Sequence, residues 1–233
     1  QHVAADARLR GPDALAGVLS QLEGFEAGAG SWEGELLPAR VGDYAIAWLD
    51  DLCTAGRIVW TRLHRGQASS TPRRGHGPVR ATPIVLLSRR EQRHWQLFAH
   101  QSDAAADTVG SRVRKVLDAL REQGACFFDE LQASCGLLQS ELEEALAEAV
   151  AQGLVTCDSF SGLRALLVPA SRRGAARHGR RRAWMGLSDA GRWSLTRARS
   201  ANDPDRAERD AAVEHIARTL LRRYGVVCWP LLQ

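Results

Sequence analysis

The sequence is nearly devoid of lysine. Lys115 is the only one among 31 basic side chains in 233 residues, and every other is arginine. The formal net charge of +4 is modest for a nucleic-acid-binding protein, so the distribution of charge along the chain has to decide what the arginines are for. Long apolar runs are missing too. None approaches the roughly 20 residues that a membrane span needs, which argues against a membrane partner. The opening QHVAADARLR has neither an initiator Met nor a secretory apolar segment and reads as an internal start. The five cysteines (Cys53, Cys126, Cys135, Cys157, Cys228) never form CxxC and have no histidines at metal-site spacing. An odd count inside apolar stretches points to reduced, core-packed thiols in a cytosolic protein, with no metal site assigned. Enzymatic signatures are absent as well: there is no GxxxxGK[ST] loop, no glycine-rich dinucleotide turn, no GxSxG elbow and no HExxH. No catalytic or cofactor-binding residue is therefore assigned.

What the chain has is 45% apolar residues, enough for a buried core, and an internal repeat. Val113, Val116, Leu117 and Leu120 fall on one helical face, Gly124 ends the helix, and GACFFDELQ follows. Near the C-terminus the same order returns: Val213, Ile216, Ala217, Leu220 and Leu221, then Gly225 and GVVCWPLLQ. After Gln132 the chain turns at Cys135-Gly136. Ser140 is expected to open a helix, with Glu143 completing a Ser-x-x-Glu capping box and Leu142, Leu146, Ala149 and Val150 as its stripe. Gly153 stops that helix, and LVTCDSF, the turn Ser161-Gly162 and LRALLVP read as a strand hairpin closed by Pro169.

Helix, short segment, helix, helix, strand, turn, strand is the order of a winged helix. Upstream, Asp43 can cap a helix that ends at Gly56, the same thirteen-residue step as Ser140 to Gly153, with Ala45, Trp48, Leu49 and Leu52 as its stripe. RIVW and ATPIVLLS supply its strands, and a helix from Asp13 to Leu22 completes the unit. Trp32, Trp48 and Trp60 are expected in its core. The fold class expected is mainly α with small β-hairpins (α+β), in tandem winged-helix domains. Residues 1–102 form the first with a long wing, 103–197 the second with an arginine-rich wing, 198–212 a linker around Pro204, and 213–233 the start of a third. A sequence ending inside a repeat is expected to be part of a longer chain. The third unit's apolar face, including Trp229, should then dock on the second unit or fray.

Charge separates the helices from the wings. The helix from Ser140 carries Glu141, Glu143, Glu144 and Glu148 with no basic residue, and the helix from Asp43 carries Asp50 and Asp51. Such faces repel phosphate, so they either meet solvent or dock on basic surfaces of neighbouring modules. The positive charge collects in the connections: Arg65, Arg73, Arg74 and Arg80 in the first unit, and Arg172, Arg173, Arg177, Arg180, Arg181 and Arg182 in the second. His64, His76 and His178 fall in the same basic loops. Arginine interleaved with glycine can lie along a phosphate backbone, the alternative being a solvated loop. Arg65, Arg73, Arg74, Arg172, Arg173, Arg177, Arg180, Arg181 and Arg182 are the candidate DNA-binding residues.

The stretch VRKVLDALREQGACFFDELQASCGLLQSELEEALAEAVAQGLVTCDSFSGLRALLVP, the later GRWSLTR and ARTLLRRYGVV, and the upstream LLPARVGDYAIAWLDDLCTAGRIVW and ATPIVLLSR resemble the C-terminal extension of bacterial Lhr (large helicase-related) proteins over nearly the whole chain. The resemblance implies a superfamily 2 helicase core upstream, with ATP and Mg as its cofactors, followed by tandem winged helices and a β-barrel. It implies a repair-associated, ATP-dependent DNA helicase tracking on single-stranded DNA, cytoplasmic and nucleoid-associated. The partners expected are DNA, single-stranded or duplex and without sequence preference, and the rest of the same longer chain. The family's C-terminal region also resembles AlkZ-type DNA glycosylases, and uracil glycosylase activity is attributed to some members. The AlkZ-type Gln-x-Gln pattern has no match here, so the alternative reading is the accessory half of a glycosylase module. A winged-helix transcription regulator is ranked last, because regulators usually carry a basic third helix.

Overall fold

The computed structural model describes residues 8–64, 79–99, 109–168, 187–196 and 205–227. Pro12 opens α1 (Pro12–Gln21) at a position where its missing N–H costs nothing, and Leu15, Val18 and Leu19 turn inward one helical step apart. Strand β2 (Ala27–Gly28) leads into α2 (Ala29–Ser31), which continues as a π-helical turn, Trp32–Leu36. Trp32 is fully buried and donates its indole N–H to the Ile84 carbonyl at 3.3 Å. Strand β3 (Val41–Gly42) pairs in parallel with β1 (Leu9–Arg10). Helix α3 (Ile46–Thr54) buries Leu49, Leu52 and Cys53, and the chain turns at Gly56 with φ of 68°. Strand β4 (Ile58–Thr61) then pairs antiparallel with β5 (Pro83–Ser88), and β2 adds to the other edge of β5. Helix, strand, helix, helix and hairpin make the expected first winged helix. Trp32 and Trp60 are core residues and Trp48 is half-buried.

The cap of α3 differs from expectation. Ala45, in an extended conformation, is its N-terminal flanking residue, and Asp43 takes a left-handed φ of 57° two residues earlier. The carboxylate pairs instead with Arg10 at the exposed end of β1. After β5, helix α4 (Gln92–Phe98) packs Trp95 beneath the first unit.

The second unit repeats the plan with α5 (Ser111–Gln123), α6 (Phe128–Cys135), α7 (Gln139–Ala151) and β6 (Val155–Cys157). Cys126, just ahead of α6, exchanges backbone hydrogen bonds with Trp193, in the place that β2 holds in the first unit. Gly124 and Gly153 have φ of 81° and 69°, which accounts for the glycines at the expected helix ends. The start of α7 lies earlier than expected. Leu138 flanks it, and the Glu141 carboxylate, not Glu143, accepts the Leu138 N–H at 3.0 Å.

The larger correction concerns LRALLVP, which is not a strand. Phe160, Leu163 and Leu166 fall one turn apart, and all three are buried in helix α8 (Phe160–Leu167), whose first turn is capped by the Ser159 hydroxyl. A short apolar run satisfies strand and helix patterns alike, and here burial on one helical face decides. The returning strand is β7 (Trp193–Leu195), antiparallel to β6. Gly162, expected in a hairpin turn, is a close-packing position inside α8. A Cβ there would stand 2.8 Å from Cys157 Sγ and 3.2 Å from the Trp193 ring. Gly162→Ala is therefore expected to destabilise the chain by about 1–2 kcal/mol, overpacking outweighing the helix propensity gained. A urea midpoint equal to or above that of the parent would refute this.

Helix α9 (Arg206–Tyr224) begins inside the span expected as a linker and runs through the boundary expected at 212/213. The Asp205 carboxylate caps it by accepting the Glu208 N–H at 2.7 Å. The boundaries expected at 102/103 and 197/198 fall outside the described residues. α9 docks on the first unit, not the second, and its buried face is rotated from the one expected: Ile216 of the expected stripe packs against the Leu63, Val85, Leu87 and Trp95 cluster, but the most buried positions lie to one side of that stripe. Ala212, Thr219 and Arg223 are buried, whereas Val213, Leu221 and Tyr224 are exposed and line an open cleft of about 1020 Å³ with Phe98. Arg223 decides the orientation. Its guanidinium donates to the Gln21 and Glu23 carbonyls at the end of α1 and stacks over Phe25. Carbonyls at a helix C-terminus lack intrahelical donors, and a buried guanidinium supplies them.

Candidate nucleic-acid interface

In a winged helix, the third helix and the wing are the two elements that can reach DNA. The third helices are α3 and α7, and ion pairs within the chain hold one acid of the first and two of the second. On α7, Glu141 and Glu144 pair with Arg112 of α5, at 2.9 Å and 3.2 Å. On α3, Asp50 faces the second unit. There Arg164 of α8 donates Nη1 and Nη2 to the two Asp50 oxygens at 2.9 Å and 3.2 Å. The same guanidinium donates Nε and Nη2 to the Glu33 carboxylate at 2.6 Å and 2.8 Å.

Glu33 also accepts the Tyr44 hydroxyl at 2.8 Å. Side-chain exposure of 15% for Arg164, 14% for Glu33 and 25% for Asp50 places this network between the two units, mostly out of water. Burial alone would lower the Arg164 pKa, but its hydrogen bonds to Glu33 and Asp50 outweigh that and raise it, so it stays charged. Burial, then the charge of Glu33, pushes the Tyr44 phenol far above its usual range, so it remains a donor. Of the two fates expected for the acidic helices, docking on a neighbouring module holds for Asp50. Glu141 and Glu144 pair inside their own unit. Sequence patterning did not single out Arg164, because one arginine in an apolar run carries no periodic signal.

Nine candidate residues lie outside the described residues: Arg65, Arg73, Arg74, Arg172, Arg173, Arg177, Arg180, Arg181 and Arg182. His76, His178, Trp184, Cys228 and Trp229 lie outside them too. Their places in the chain order are nonetheless fixed by their neighbours. Arg65, Arg73 and Arg74 fall between β4 and β5, and the other six fall between α8 and β7, within the connection from β6 to its partner strand. Both groups thus occupy wing connections. Arg80 lies beside Gly30, where an added Cβ would meet its side chain at 2.7 Å. Arg114 and Lys115, on the exposed side of α5, make no ion pair among the described residues. His64 contacts Glu26 at 2.6 Å and accepts the Arg62 Nε–H at its carbonyl, which makes it part of the unit's own surface network.

Cys53, Cys126, Cys135 and Cys157 are free and buried. Burial, followed by the charge of Asp50, pushes the Cys53 thiol up to about 12, and burial does the same for Cys157. Such thiols pack as small apolar groups and are poor nucleophiles. Among the described residues, Glu91, His94 and His215 bring three metal-ligating side chains together. No described helix is long and apolar enough to cross a membrane.

Two winged helices in series, joined through a buried ion-pair network, define a tandem winged-helix protein. Residues 1–83 match the model of the large helicase-related protein winged-helix domain. The chain is 31% identical over 245 residues to the Lhr helicase/uracil glycosylase of Escherichia coli (strain K12), a match covering 93% of this chain and 14% of that protein. It is likewise 31% identical over 252 residues to the Lhr helicase/probable uracil glycosylase of Mycolicibacterium smegmatis, covering 97% and 15%. Residues 1–83 are thus a winged-helix domain of the large helicase-related type, and similarity to these relatives continues over nearly the whole chain. The chain spans about one seventh of the length of these relatives.

Proposed function

We propose that the chain is a DNA-positioning segment of an Lhr-type superfamily 2, ATP-dependent DNA helicase acting in DNA repair, with a cytoplasmic, nucleoid-associated home. It holds single-stranded or duplex DNA through phosphates, without reading sequence, and the arginine-rich wing connections supply the contacts. ATP and Mg belong to a helicase core elsewhere in such a protein. The observation that carries this reading is the engagement of the third helices. Asp50 is tied to Arg164, and Glu141 and Glu144 to Arg112, and neither helix contains a basic residue to offer to base edges. Phosphate contacts from arginine carry charge but no sequence information, which suits a motor that must move along any DNA.

The test is a salt titration of DNA binding. Replacing Arg172, Arg173, Arg180, Arg181 and Arg182 together is expected to weaken binding to every sequence and flatten the slope of log K against log salt. Each lost contact removes about 0.7 of slope on single strands and about 0.9 on duplex. Changing Glu141, Glu144 and Glu148 to Gln is expected to leave affinity equal or slightly higher, since Arg112 is then released. A parental slope in the arginine variant, or lost binding in the glutamine variant, refutes the assignment. The relatives' names also carry a glycosylase, and the second reading is an accessory half of a glycosylase module. Uracil excision from single-stranded DNA that depends on these same arginines for binding would favour it.

A further inference from the structure

Side chains from two separate parts of the chain converge where α9 meets the first winged helix. Glu91 flanks the start of α4, His94 stands in its first turn, and His215 reaches in from α9. Their candidate donor atoms all lie within 4.8 Å of one another. Glu91 Oε2 is 3.0 Å from His94 Nδ1 and 3.6 Å from His215 Nδ1. Ligands bound at about 2.0–2.1 Å around a tetrahedral ion sit about 3.3 Å from each other, between those two values.

The surroundings of the rings point the same way. The other nitrogen of His215, Nε2, lies 3.2 Å from Glu23 Oε1, a nearly buried oxygen that also accepts the Trp95 indole N–H at 3.0 Å. A neutral imidazole that donates Nε2–H to this carboxylate presents Nδ1 as a bare lone pair, and that nitrogen faces Glu91. A carboxylate behind a ligating histidine is the usual device for fixing ring and tautomer at a metal site. His94 Nδ1 is buried and has no hydrogen-bond partner of good geometry, although Glu91 stands beside it. Two imidazole nitrogens and a carboxylate turned on one point repel one another unless a metal ion or a shared proton lies between them.

We propose that Glu91, His94 and His215 bind one zinc ion, with Glu23 supporting His215 from behind, and that the ion pins α9 to the first winged helix. Two imidazoles and one carboxylate suit zinc better than magnesium or calcium, which prefer oxygen ligands throughout. A cleft of about 700 Å³, lined in part by Glu23, Glu91 and His215, gives the ion a route in and a water for the fourth position. Arg57, Arg90 and Arg222 line the same cleft, so the site depends on both carboxylates to offset them. No motif could have announced it, because His94 and His215 lie in different repeats. The inference does not rest on DNA binding.

The test uses the whole chain, freed of metal with a chelator and titrated with zinc chloride by calorimetry and with cobalt(II) by visible absorption. One equivalent is expected to bind, with the intense visible bands of a tetrahedral cobalt site and a rise in melting temperature. His94→Gln and His215→Gln, each with parental circular dichroism before metal is added, should lose the bands and the thermal shift. Glu23→Gln should weaken affinity by about 10–100-fold. Should a histidine variant misfold without metal, Glu91→Gln takes its place with the same expected loss. No stoichiometric binding, binding retained in both histidine variants, or a near-ultraviolet thiolate-to-cobalt band would overturn the proposal. The first of these results would assign the contacts to shared protons; the last would move the metal to cysteine.

Discussion

Replacing Arg164 with methionine is expected to lower the unfolding free energy by about 3 kcal/mol, a large loss for one side chain set back from the surface. Arg164 makes four hydrogen bonds to the carboxylates of Glu33 and Asp50, from three different nitrogens, and lies over the Phe160 ring. Removing it leaves two carboxylates facing each other between the two units, with the Tyr44 hydroxyl, bonded to Glu33, as the remaining side-chain donor among the described residues. The cost comes from those stranded charges more than from the lost attraction, because pairing in the parent mainly offsets desolvation. The triple change Arg164→Met, Glu33→Gln, Asp50→Asn should therefore recover much of the loss. Urea denaturation of the single and triple variants decides the matter. Equal destabilisation in both would mean that packing, not charge, is what Arg164 provides. Lysine at 164 should fall between parent and methionine, since an ammonium cannot serve both carboxylates with paired, planar donors.

The parts of this fold that could be read from sequence are those that obey local rules. Leu15, Val18 and Leu19 in α1, and Val113, Val116, Leu117 and Leu120 in α5, repeat at helical spacing and are buried as that spacing requires. Gly56, Gly124, Gly153 and Gly225 all take positive φ at helix ends, which only glycine does without strain. The short β-rich apolar runs in RIVW and PIVLLS form the β4–β5 pair, in the register Ile58 with Ser88 to Thr61 with Val85.

What could not be read depends on partners distant in sequence. The segment from Phe160 to Leu167 is too short and too apolar for its period to separate strand from helix, and the close seat of Gly162 on Cys157 and Trp193 appears only when the chain is folded. On α9 the apolar stripe placed Ile216 correctly against the first unit, but Val213 and Leu221 stay exposed because the helix is turned to let Arg223 satisfy the carbonyls at the end of α1. The Arg164 network and the Glu91, His94 and His215 cluster each join elements from both halves of the chain. The wing arginines are the opposite case: their clustering is plain in the sequence, and a binding measurement, not a contact, is what tests them.

Trp60 is the second residue on which the joining of the two units turns, and Trp60→Ala is expected to cost about 3–5 kcal/mol. The side chain is 1% exposed. It sits in β4 of the first unit, yet its indole N–H donates to the Ser159 carbonyl at 3.0 Å and its ring meets Trp193 edge to face, with centroids 6.5 Å apart. Its own carbonyl accepts the Thr156 hydroxyl at 2.7 Å. Three contacts thus cross from one winged helix to the other at a single residue, and buried residues of both units belong to one continuous core. A shared core predicts a single cooperative unfolding transition in the parent. Alanine at 60 should not only lower stability but split that transition, since each unit keeps its own helices and hairpin while losing the wall they share. Phenylalanine at 60 keeps the ring and strands the Ser159 carbonyl, so a loss of about 1–2 kcal/mol with one transition is expected. Tryptophan fluorescence and far-ultraviolet circular dichroism, followed through the same urea series, separate these outcomes. Coincident curves for Trp60→Ala at the parental midpoint would show that the two winged helices are held together elsewhere, with Arg164 as the contact to examine next.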